Sequence, residues 1–333
     1  MESIYWVMTW LCHRSCEHCY EGRFHPYHGE ELAGVVEQSR TMFPRVIPHL
    51  PARMLYRERD SSEERRGSII LAGGEILLDA VRESVLYPAL RLLRERYREQ
   101  GGVKLIVQTT GDVLTPSIVA ELKALGVWTI SVSGVDEFHA GMPALRGRIE
   151  QMLVEGGFEL FAPVGSQARE ASDDGQYYHF FGATPDLWIG KLWPRGRALQ
   201  NELSRATMAD NFCAQWSGGK SFLDVPFRGS EVSIEPDGSV YPCCLKTKLP
   251  IGNVSKEPLE EILARHRGNP VYEAINAGLP QRMGLEHGWT EEQFLAKSRV
   301  ILPSGAVYEN LCAGCDRFHE EVLIPLAARA SKA

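Results

Sequence analysis

Cys12-His13-Arg14-Ser15-Cys16-Glu17-His18-Cys19 places three cysteines in a C-x3-C-x2-C pattern, directly after an apolar stretch at residues 4–11. On a tight loop, three thiolates at this spacing can converge on one soft metal centre. A closed zinc or [4Fe–4S] site takes four protein ligands, so three cysteines leave one coordination position open. The stretch therefore predicts a metal cluster with an open coordination site. The alternatives are a partial zinc site or three unrelated thiols.

A second motif, Gly73-Gly74-Glu75, directly follows a short apolar strand predicted at residues 68–72. Two glycines remove side chains where a backbone approaches a ligand closely, and a glutamate can pair with an ammonium group. Glycine is frequent at strand-to-helix turns, so the triplet alone is weak. Its position after the second strand and after the cysteine motif makes it informative.

Apolar runs alternate with amphipathic helical segments before residue 200. Helices are predicted at about 30–43, at 79–100, at 116–125 and around residues 145–153. After the first strand within 4–11, further strands are predicted at 68–72, 103–108, 127–133, 158–163 and 187–192. This alternation indicates parallel β/α units, and about six of them fit. We therefore predict an α/β fold with an open, partial (β/α)6 TIM-like barrel at residues 1–205, whose chemistry lies at the C-terminal ends of the strands.

The remaining residues, 206–333, follow a different pattern and predict a small α+β domain. Pro236-Asp237-Gly238 is a turn signal between short strands at 232–235 and 239–242. Five cysteines lie in this part, and none lies between Cys19 and the first of them: Cys213, Cys243, Cys244, Cys312 and Cys315. A C-x2-C pair with two distant cysteines can close a four-thiolate site, holding either an iron–sulfur cluster or zinc.

Composition excludes several classes of function. The net charge is −7 and the pI is about 5.9, and the basic residues are dispersed, so we expect neither nucleic-acid binding nor a polybasic membrane patch. No apolar run has the length of a membrane span, and Glu2 stands where a signal peptide would be basic. We therefore expect a cytoplasmic protein whose cysteines bind metal rather than form disulfides.

The cysteine spacing and the Gly-Gly-Glu triplet resemble the radical S-adenosylmethionine (radical SAM) superfamily. The resemblance implies a [4Fe–4S] cluster on Cys12, Cys16 and Cys19 whose free iron binds SAM. The other residues that it implies for SAM binding are Gly73, Gly74 and Glu75 at the methionyl amino group, His18 or Tyr20 at the adenine, Ser131 and Ser133 at the ribose or carboxylate, and Arg146 at the carboxylate. The serines could instead cap the next helix, and Arg146 could pair on the surface.

The C-terminal cysteines resemble the SPASM/twitch extensions of radical SAM enzymes. The resemblance rests on one cysteine, then Gly238-x4-Cys243, then Cys312-x2-Cys315, and it implies an auxiliary [4Fe–4S] cluster. The gap from Cys213 to Gly238 is longer than usual in this family, and Cys244 is surplus. The spacing favours Cys243 as the ligand, and the choice between the two adjacent cysteines stays open.

The resemblance implies that electron transfer to SAM releases a 5′-deoxyadenosyl radical, which abstracts hydrogen from a substrate. A one-electron donor such as flavodoxin or ferredoxin would supply electrons to this cluster. Because the chain begins at the first barrel strand, without a separate peptide-binding domain, we expect a small-molecule substrate rather than a peptide. No residue is assigned as an acid–base catalyst.

Two other functions are open. Cys243-Cys244-Leu245-Lys246 resembles a cysteine pair in radical SAM enzymes of arsinothricin biosynthesis, which implies transfer of the 3-amino-3-carboxypropyl group of SAM to a soft acceptor such as arsenite. Alternatively, the chain is a non-catalytic iron–sulfur electron carrier, which would have no need of the Gly-Gly-Glu motif.

Overall fold

Parallel strands dominate the fold. The protein is described here by a computed structural model, which covers residues 1–134, 136, 138–161, 171–182, 192–214 and 218–330. Its strands in chain order are β1 (Ser3–Val7), β2 (Leu55–Tyr56), β3 (Arg65–Arg66), β4 (Ser68–Ala72), β5 (Lys104–Thr109), β6 (Thr129–Ser133), β7 (Glu159–Leu160), β8 (Tyr177–Phe181), β9 (Glu231–Ile234), β10 (Ser239–Tyr241), β11 (Gly252–Asn253), β12 (Arg299–Ile301) and β13 (Val307–Glu309).

Helices connect most of these strands. They are α1 (Gly29–Val46), α2 (Asp79–Val81), α3 (Tyr87–Tyr97), α4 (Pro116–Ala124), α5 (Met142–Glu155), α6 (Gly196–Gln200), α7 (Leu259–His266), α8 (Pro270–Asn276), α9 (Glu291–Lys297), α10 (Leu311–Phe318) and α11 (Ile324–Ala330). A π-helical turn, Arg82–Leu86, joins α2 to α3. Thr115 caps α4 by accepting a hydrogen bond from the Ile118 amide, as the Thr-Pro pair predicts.

Nine strands form one sheet, in the order β11-β10-β9-β1-β4-β5-β6-β8-β7. The strands from β9 to β7 are parallel, whereas β10 and β11 are antiparallel additions at one edge. The predicted C-terminal hairpin is therefore β9–β10, and it extends the N-terminal sheet through the pairing of β9 with β1. Whether the domains divide at residue 205 stays a prediction.

Alternate strand residues face two different environments. Ile4 and Trp6 of β1 pack in the main core together with side chains of the helices, such as Phe43 and Leu90. Tyr5 and Val7 point to the opposite face, where they meet the loop that follows β1. Strand β1 is buried throughout, as expected of a parallel strand covered on both sides.

The predicted α/β fold with an open parallel sheet is confirmed, with differences in its second half. Strand β8 was not predicted, and it lies between β6 and β7. Of the run predicted at 158–163, only Glu159–Leu160 is a strand, and residues 162–163 lie outside the described residues. Residues 187–191 of the last predicted strand also lie outside them. Helix α1 continues beyond residue 43 through Pro44, whose fixed φ is compatible with a helix.

Candidate metal centres

The loop after β1 carries the first three cysteines, which we call the first site (Cys12, Cys16 and Cys19). The start of this loop is held at His25, because the Cys12 amide donates a hydrogen bond to the His25 carbonyl over 3.2 Å. The Cys19 amide donates to the Cys16 carbonyl over 3.2 Å, which makes the turn between the last two cysteines. Burial raises the pKa of Cys12 to about 12 and also raises that of Cys19. A cationic metal centre is the partner that would hold such thiols as thiolates.

Arg197 holds the backbone of this loop. Its guanidinium donates to three carbonyl oxygens: Cys16 over 2.8 Å, Gly22 over 3.0 Å and Phe24 over 2.8 Å. The Arg197 amide also donates to the Cys19 carbonyl over 2.8 Å. The sequence analysis missed this residue, since nothing near Arg197 in the sequence relates it to the cysteine loop.

The residues between Cys12 and Cys16 anchor the loop to the end of β5. Nε2 of His13 lies 2.9 Å from Oδ2 of Asp112, and Arg14 donates to the same oxygen from Nε over 2.9 Å and from Nη2 over 2.6 Å. Thr110 donates to the other carboxylate oxygen over 2.5 Å. Although burial raises the pKa of Asp112, these hydrogen bonds hold it well below its usual range. Asp112 therefore remains an anion that fixes the loop.

His18 lies against a histidine that the sequence analysis did not identify. The ring centroids of His18 and His139 are 4.2 Å apart in an edge-on arrangement. His139 is held by Asp136, whose Oδ1 lies 2.8 Å from Nδ1. The ligand atoms of Cys16, His18 and His139 lie within 4.8 Å of one another, so this group could also hold a metal ion. Although burial lowers the pKa of His139, Asp136 and Cys16 raise it to about 9.

The Gly-Gly-Glu turn packs against the cysteine loop itself. A Cβ atom on Gly74 would lie 2.3 Å from the Leu11 carbonyl oxygen and 2.7 Å from Cβ of Cys12. The Glu75 amide donates to the same Leu11 carbonyl over 2.8 Å. Glycine is required at position 74 because the turn lies directly against the protein backbone at Leu11. This requirement is additional to any approach of a bound ligand.

The Glu75 carboxylate is completely buried and heavily hydrogen-bonded. It accepts from the hydroxyl of Thr109 over 2.9 Å, from the amide of Thr110 over 2.8 Å and from the Leu77 amide over 3.0 Å, and the Thr110 hydroxyl oxygen lies 2.7 Å from it. Burial raises its pKa, while these donors act in the opposite direction. In this arrangement Glu75 fixes the turn to the end of β5, and its pairing with the amino group of SAM stays a prediction.

The remaining predicted SAM residues lie on both sides of the sheet. Oγ of Ser131 lies 2.9 Å from Nε2 of His179, and Ser133 donates to the Thr109 carbonyl over 3.3 Å, so both serines lie at the end of β6. The Arg146 guanidinium lies 5.2 Å from the ring centroid of Phe180, which packs in the main core. The structure thus places Ser133 against Thr109, whose hydroxyl contacts Glu75, and Ser131 against His179, while Arg146 lies against Phe180 of the main core. The SAM roles of all three stay predictions.

Four of the five C-terminal cysteines line one cavity, which we call the second site (Cys213, Cys243, Cys312 and Cys315). Cys312 and Cys315 lie in the first turns of α10, and their spacing puts them on the same face of the helix. Burial raises the pKa of Cys243 to about 11 and that of Cys312 to about 12, while the charge of Arg195 lowers both. Three buried thiols and the partly buried thiol of Cys213, all beside a guanidinium, are a donor set that fits a closed four-thiolate cluster.

Cys244 lies elsewhere. Its side chain packs with Tyr5, Trp10 and Cys12 on the side of the first site, whereas Cys243 packs with Cys312. The structure therefore brings Cys243, and not Cys244, to the second site.

Arg195 also lines the second site. It donates from Nη1 to Asp316 over 2.6 Å and from Nε to the Leu245 carbonyl over 3.2 Å. Both terminal nitrogens face the Cys312 carbonyl, at 3.5 and 3.4 Å. This side chain places a positive charge beside the thiols.

A charged network joins the cysteine loop to the turn after Cys244. Lys246 pairs with Glu21, and its Nζ lies 2.8 Å from Glu235. Arg23 contacts the same two carboxylates at 2.8 and 2.9 Å, and its guanidinium carbon lies 3.5 Å from the ring centroid of Trp10. Although burial raises the pKa of Glu21, Arg23 and Lys246 lower it to about 2. The Glu21 carboxylate therefore stays charged near neutral pH, and its ion pairs connect the cysteine loop to the turn after Cys244.

Comparisons with known proteins agree with this arrangement. Residues 227–281, which include Cys243 and Cys244, match the SPASM family, described as an iron–sulfur cluster-binding domain. No match is found among curated proteins. Within the residues that the structure describes, no helix combines the length and apolar character needed to cross a bilayer.

Three solved structures are among those that the chain matches at low identity. BtrN in complex with AdoMet and 2-DOIA is 16% identical, with 86% of this chain and 89% of that chain covered and a TM-score of 0.43. anSMEcpe with bound AdoMet and Cp18Cys peptide is 16% identical, with 99% of each chain covered and a TM-score of 0.45. SuiB of Streptococcus suis, bound to precursor peptide SuiA, is 11% identical, with 87% of this chain and 74% of that chain covered and a TM-score of 0.44.

The SPASM match shows an iron–sulfur cluster-binding domain at residues 227–281. The three-cysteine loop and the parallel sheet are what the resemblance to radical SAM proteins implies. Membership of the whole chain in that superfamily, with SAM and [4Fe–4S] clusters as its cofactors, stays a prediction. The prediction of an auxiliary iron–sulfur domain is confirmed.

Proposed function

We propose that the protein is a radical SAM enzyme that abstracts hydrogen from its substrate and passes an electron to the second site. When bound at the first site, a reduced [4Fe–4S] cluster supplies the electron that splits SAM into methionine and a 5′-deoxyadenosyl radical. The protein's own residues hold the cysteine loop, orient SAM and keep water from the reacting groups.

One observation carries the proposal: the first site has three cysteines on a loop that packs directly against the Gly-Gly-Glu turn. The second site gathers four cysteines of its own, so it does not need a ligand from the first. A three-cysteine cluster keeps one iron open for SAM, whereas a four-cysteine cluster is closed. A SAM-cleaving enzyme with an auxiliary cluster needs one open and one closed cluster. An electron carrier has no need of a cluster with an open coordination position.

Individual residues have distinct tasks in this proposal. Arg197 and Asp112 hold the loop, and Glu75 fixes the Gly-Gly-Glu turn against it. Ser131 and Ser133 are available at the end of β6 for the SAM ribose or carboxylate. The expectation of a small-molecule substrate stays a prediction.

Transfer of the aminocarboxypropyl group was the second hypothesis, and it depended on Cys243 and Cys244 acting together. In the structure these two thiols pack in different clusters. No contact among the described residues favours the pair as a chelate, so we do not propose this reaction.

The test is anaerobic reconstitution with iron and sulfide, reduction, addition of SAM, and chromatography of the products. We expect 5′-deoxyadenosine from the wild-type protein and from Cys312→Ala/Cys315→Ala, and none from Cys12→Ala. Methylthioadenosine as the product would favour aminocarboxypropyl transfer. The absence of both products, with no SAM bound, would favour the electron carrier and contradict the proposal.

A further inference from the structure

Two aromatic side chains, Tyr20 and Trp193, pack against both cysteine sites. They border the apolar cluster that contains Cys12 and Cys244, and they also border the cluster that contains Cys243 and Cys312. Their ring centroids are 4.6 Å apart with planes at 77°, which is a close edge-to-face contact. The two rings are therefore in contact with each other and with the apolar clusters at both sites.

The backbone fixes each ring to one of the sites. Tyr20 directly follows Cys19, and Trp193 is two residues before Arg195, which lines the second site. The chain then turns back towards the first site at Gly196, whose φ is +52° and where a Cβ atom would lie 2.4 Å from the Tyr20 carbonyl oxygen. Only glycine fits such a position, so the close approach of the two segments is built into the sequence.

We propose that Tyr20 and Trp193 form an aromatic bridge that carries one electron between the iron–sulfur clusters of the first and second sites. This inference rests on the proposed function insofar as both sites must hold clusters. In each transfer the cluster at one site loses one electron and the cluster at the other site gains it. No bond is made or broken, and no proton has to move.

The surroundings of the rings agree with this role. The Tyr20 hydroxyl lies 3.4 Å from that of Tyr5, on the side of the first site. Nε1 of Trp193 is buried and has no hydrogen-bond partner among the described residues. Packing between the sites is the property that the pair offers.

A second route between the sites also exists and must be distinguished. Cys244 lies on the side of the first site and is joined by one peptide bond to Cys243 of the second. An electron could pass along this backbone without using either ring. The experiment therefore includes a Cys244→Ala variant.

The experiment uses the full-length reconstituted protein without SAM, so that its outcome is independent of SAM cleavage. A photoexcited deazaflavin injects electrons, and freeze-quench EPR follows the appearance of the second-site signal. The EPR signal of the first site is assigned with Cys312→Ala/Cys315→Ala, which lacks the second cluster. The signal of the second site is assigned with Cys12→Ala/Cys16→Ala/Cys19→Ala, which lacks the first cluster. Iron content and the fully reduced spectrum verify that the Tyr20, Trp193, Phe24 and Cys244 variants have folded and hold both clusters.

We expect Tyr20→Leu and Trp193→Leu to slow filling of the second site by about tenfold or more, which is about 1.4 kcal/mol of activation free energy. Tyr20→Phe and Trp193→Phe keep a ring and should retain most of the rate. Phe24→Leu is the matched control. Phe24 also contacts Tyr20, but it packs only in the apolar cluster that contains Cys12 and Cys244.

Equal rates in the two leucine variants and the wild type would overturn the proposal. Slowing in Cys244→Ala without slowing in Trp193→Leu would also overturn it, in favour of the backbone route. The same holds if the variant without the first three cysteines fills its second site as fast as the wild type, since electrons would then enter there directly. Failure of either cluster to form would overturn both the bridge and the proposed function, whereas loss of SAM cleavage alone would leave the bridge standing.

Discussion

At the scale of single residues, adjacent cysteines have different surroundings. Cys243 and Cys244 follow the same hairpin, and the turn after them takes Lys246 into the left-handed region with φ of 63°. The Cys243 side chain packs at the second site, whereas that of Cys244 packs on the side of the first site. Sequence spacing favoured Cys243 as the ligand, and the grouping of side chains gives a physical reason for that preference.

We expect Cys243→Ala to lose the iron of the second site and Cys244→Ala to retain it. The two variants remove the same atoms from neighbouring positions, so each is the control for the other. Iron and sulfide analysis after reconstitution, together with EPR of the reduced protein, measures the difference. Equal loss of iron in both variants would contradict the assignment.

Arg197 offers a test of how the first site is held. Arg197→Lys keeps the charge but cannot reach three carbonyl oxygens at once, and hydrogen bonds to charged groups contribute about 1.5–3 kcal/mol each. We expect lower iron content at the first site and a lower melting temperature. Arg40→Lys, at an exposed ion pair with Glu37, is the control. Unchanged iron content in Arg197→Lys would refute the positioning role.

At the scale of elements, the Gly-Gly-Glu turn and the cysteine loop form one packed unit. Gly74→Ala should destabilise the protein by about 1–3 kcal/mol, the usual cost of overpacking, and should reduce iron binding at the first site. Gly22→Ala is the matched control, because a Cβ atom there would meet nothing within 4 Å. Chemical denaturation and iron analysis measure both effects. Equal unfolding free energies and equal iron contents in Gly74→Ala and Gly22→Ala would contradict the claim that close packing at Gly74 stabilises the first site.

His179 lies on β8 and contacts Ser131 of the neighbouring strand β6. Its titration predicts that the stability of the protein depends on pH. Burial lowers the pKa of His179 to about 4, below the ordinary value of about 6.5. Between these values the unfolded chain binds a proton that the folded chain does not, so the free energy of unfolding falls as the pH falls from about 6.5 to about 4.

We expect His179→Gln to reduce this loss on acidification by up to about 3 kcal/mol, at about 1.4 kcal/mol for each pKa unit. Denaturant unfolding measured between pH 4 and pH 7 gives the slope. His28→Gln, at an exposed position, should leave it unchanged. A slope in His179→Gln as steep as that of the wild type would show that His179 is not its source.

The sequence predicted the strands that precede the two motifs well, because each is a short apolar run followed by a clear loop signal. Strand β8 was missed although Tyr177–Phe181 is an aromatic run after Asp173-Asp174-Gly175, which is itself a strand signal. The partners Arg197 and His139 could not be predicted. Their contacts with the cysteine loop arise only when distant segments fold together, and neither residue belongs to a local pattern.

At the scale of the whole molecule, one sheet carries both candidate metal centres. Strand β9 pairs with β1, so the hairpin that leads to Cys243 and the loop that holds Cys12 begin from neighbouring strands. Arg195 and Arg197, two residues apart, then contact one site each. This arrangement keeps the two candidate sites separate in their cysteines and on neighbouring strands of one sheet.

The central claim is that the first site holds an open cluster that binds SAM. The most direct measurement is EPR of the reduced Cys312→Ala/Cys315→Ala protein, in which the first site alone contributes a signal, before and after addition of SAM. We predict that SAM changes the g values of this signal, and that Cys12→Ala gives no such change. A signal unaffected by saturating SAM would contradict the account.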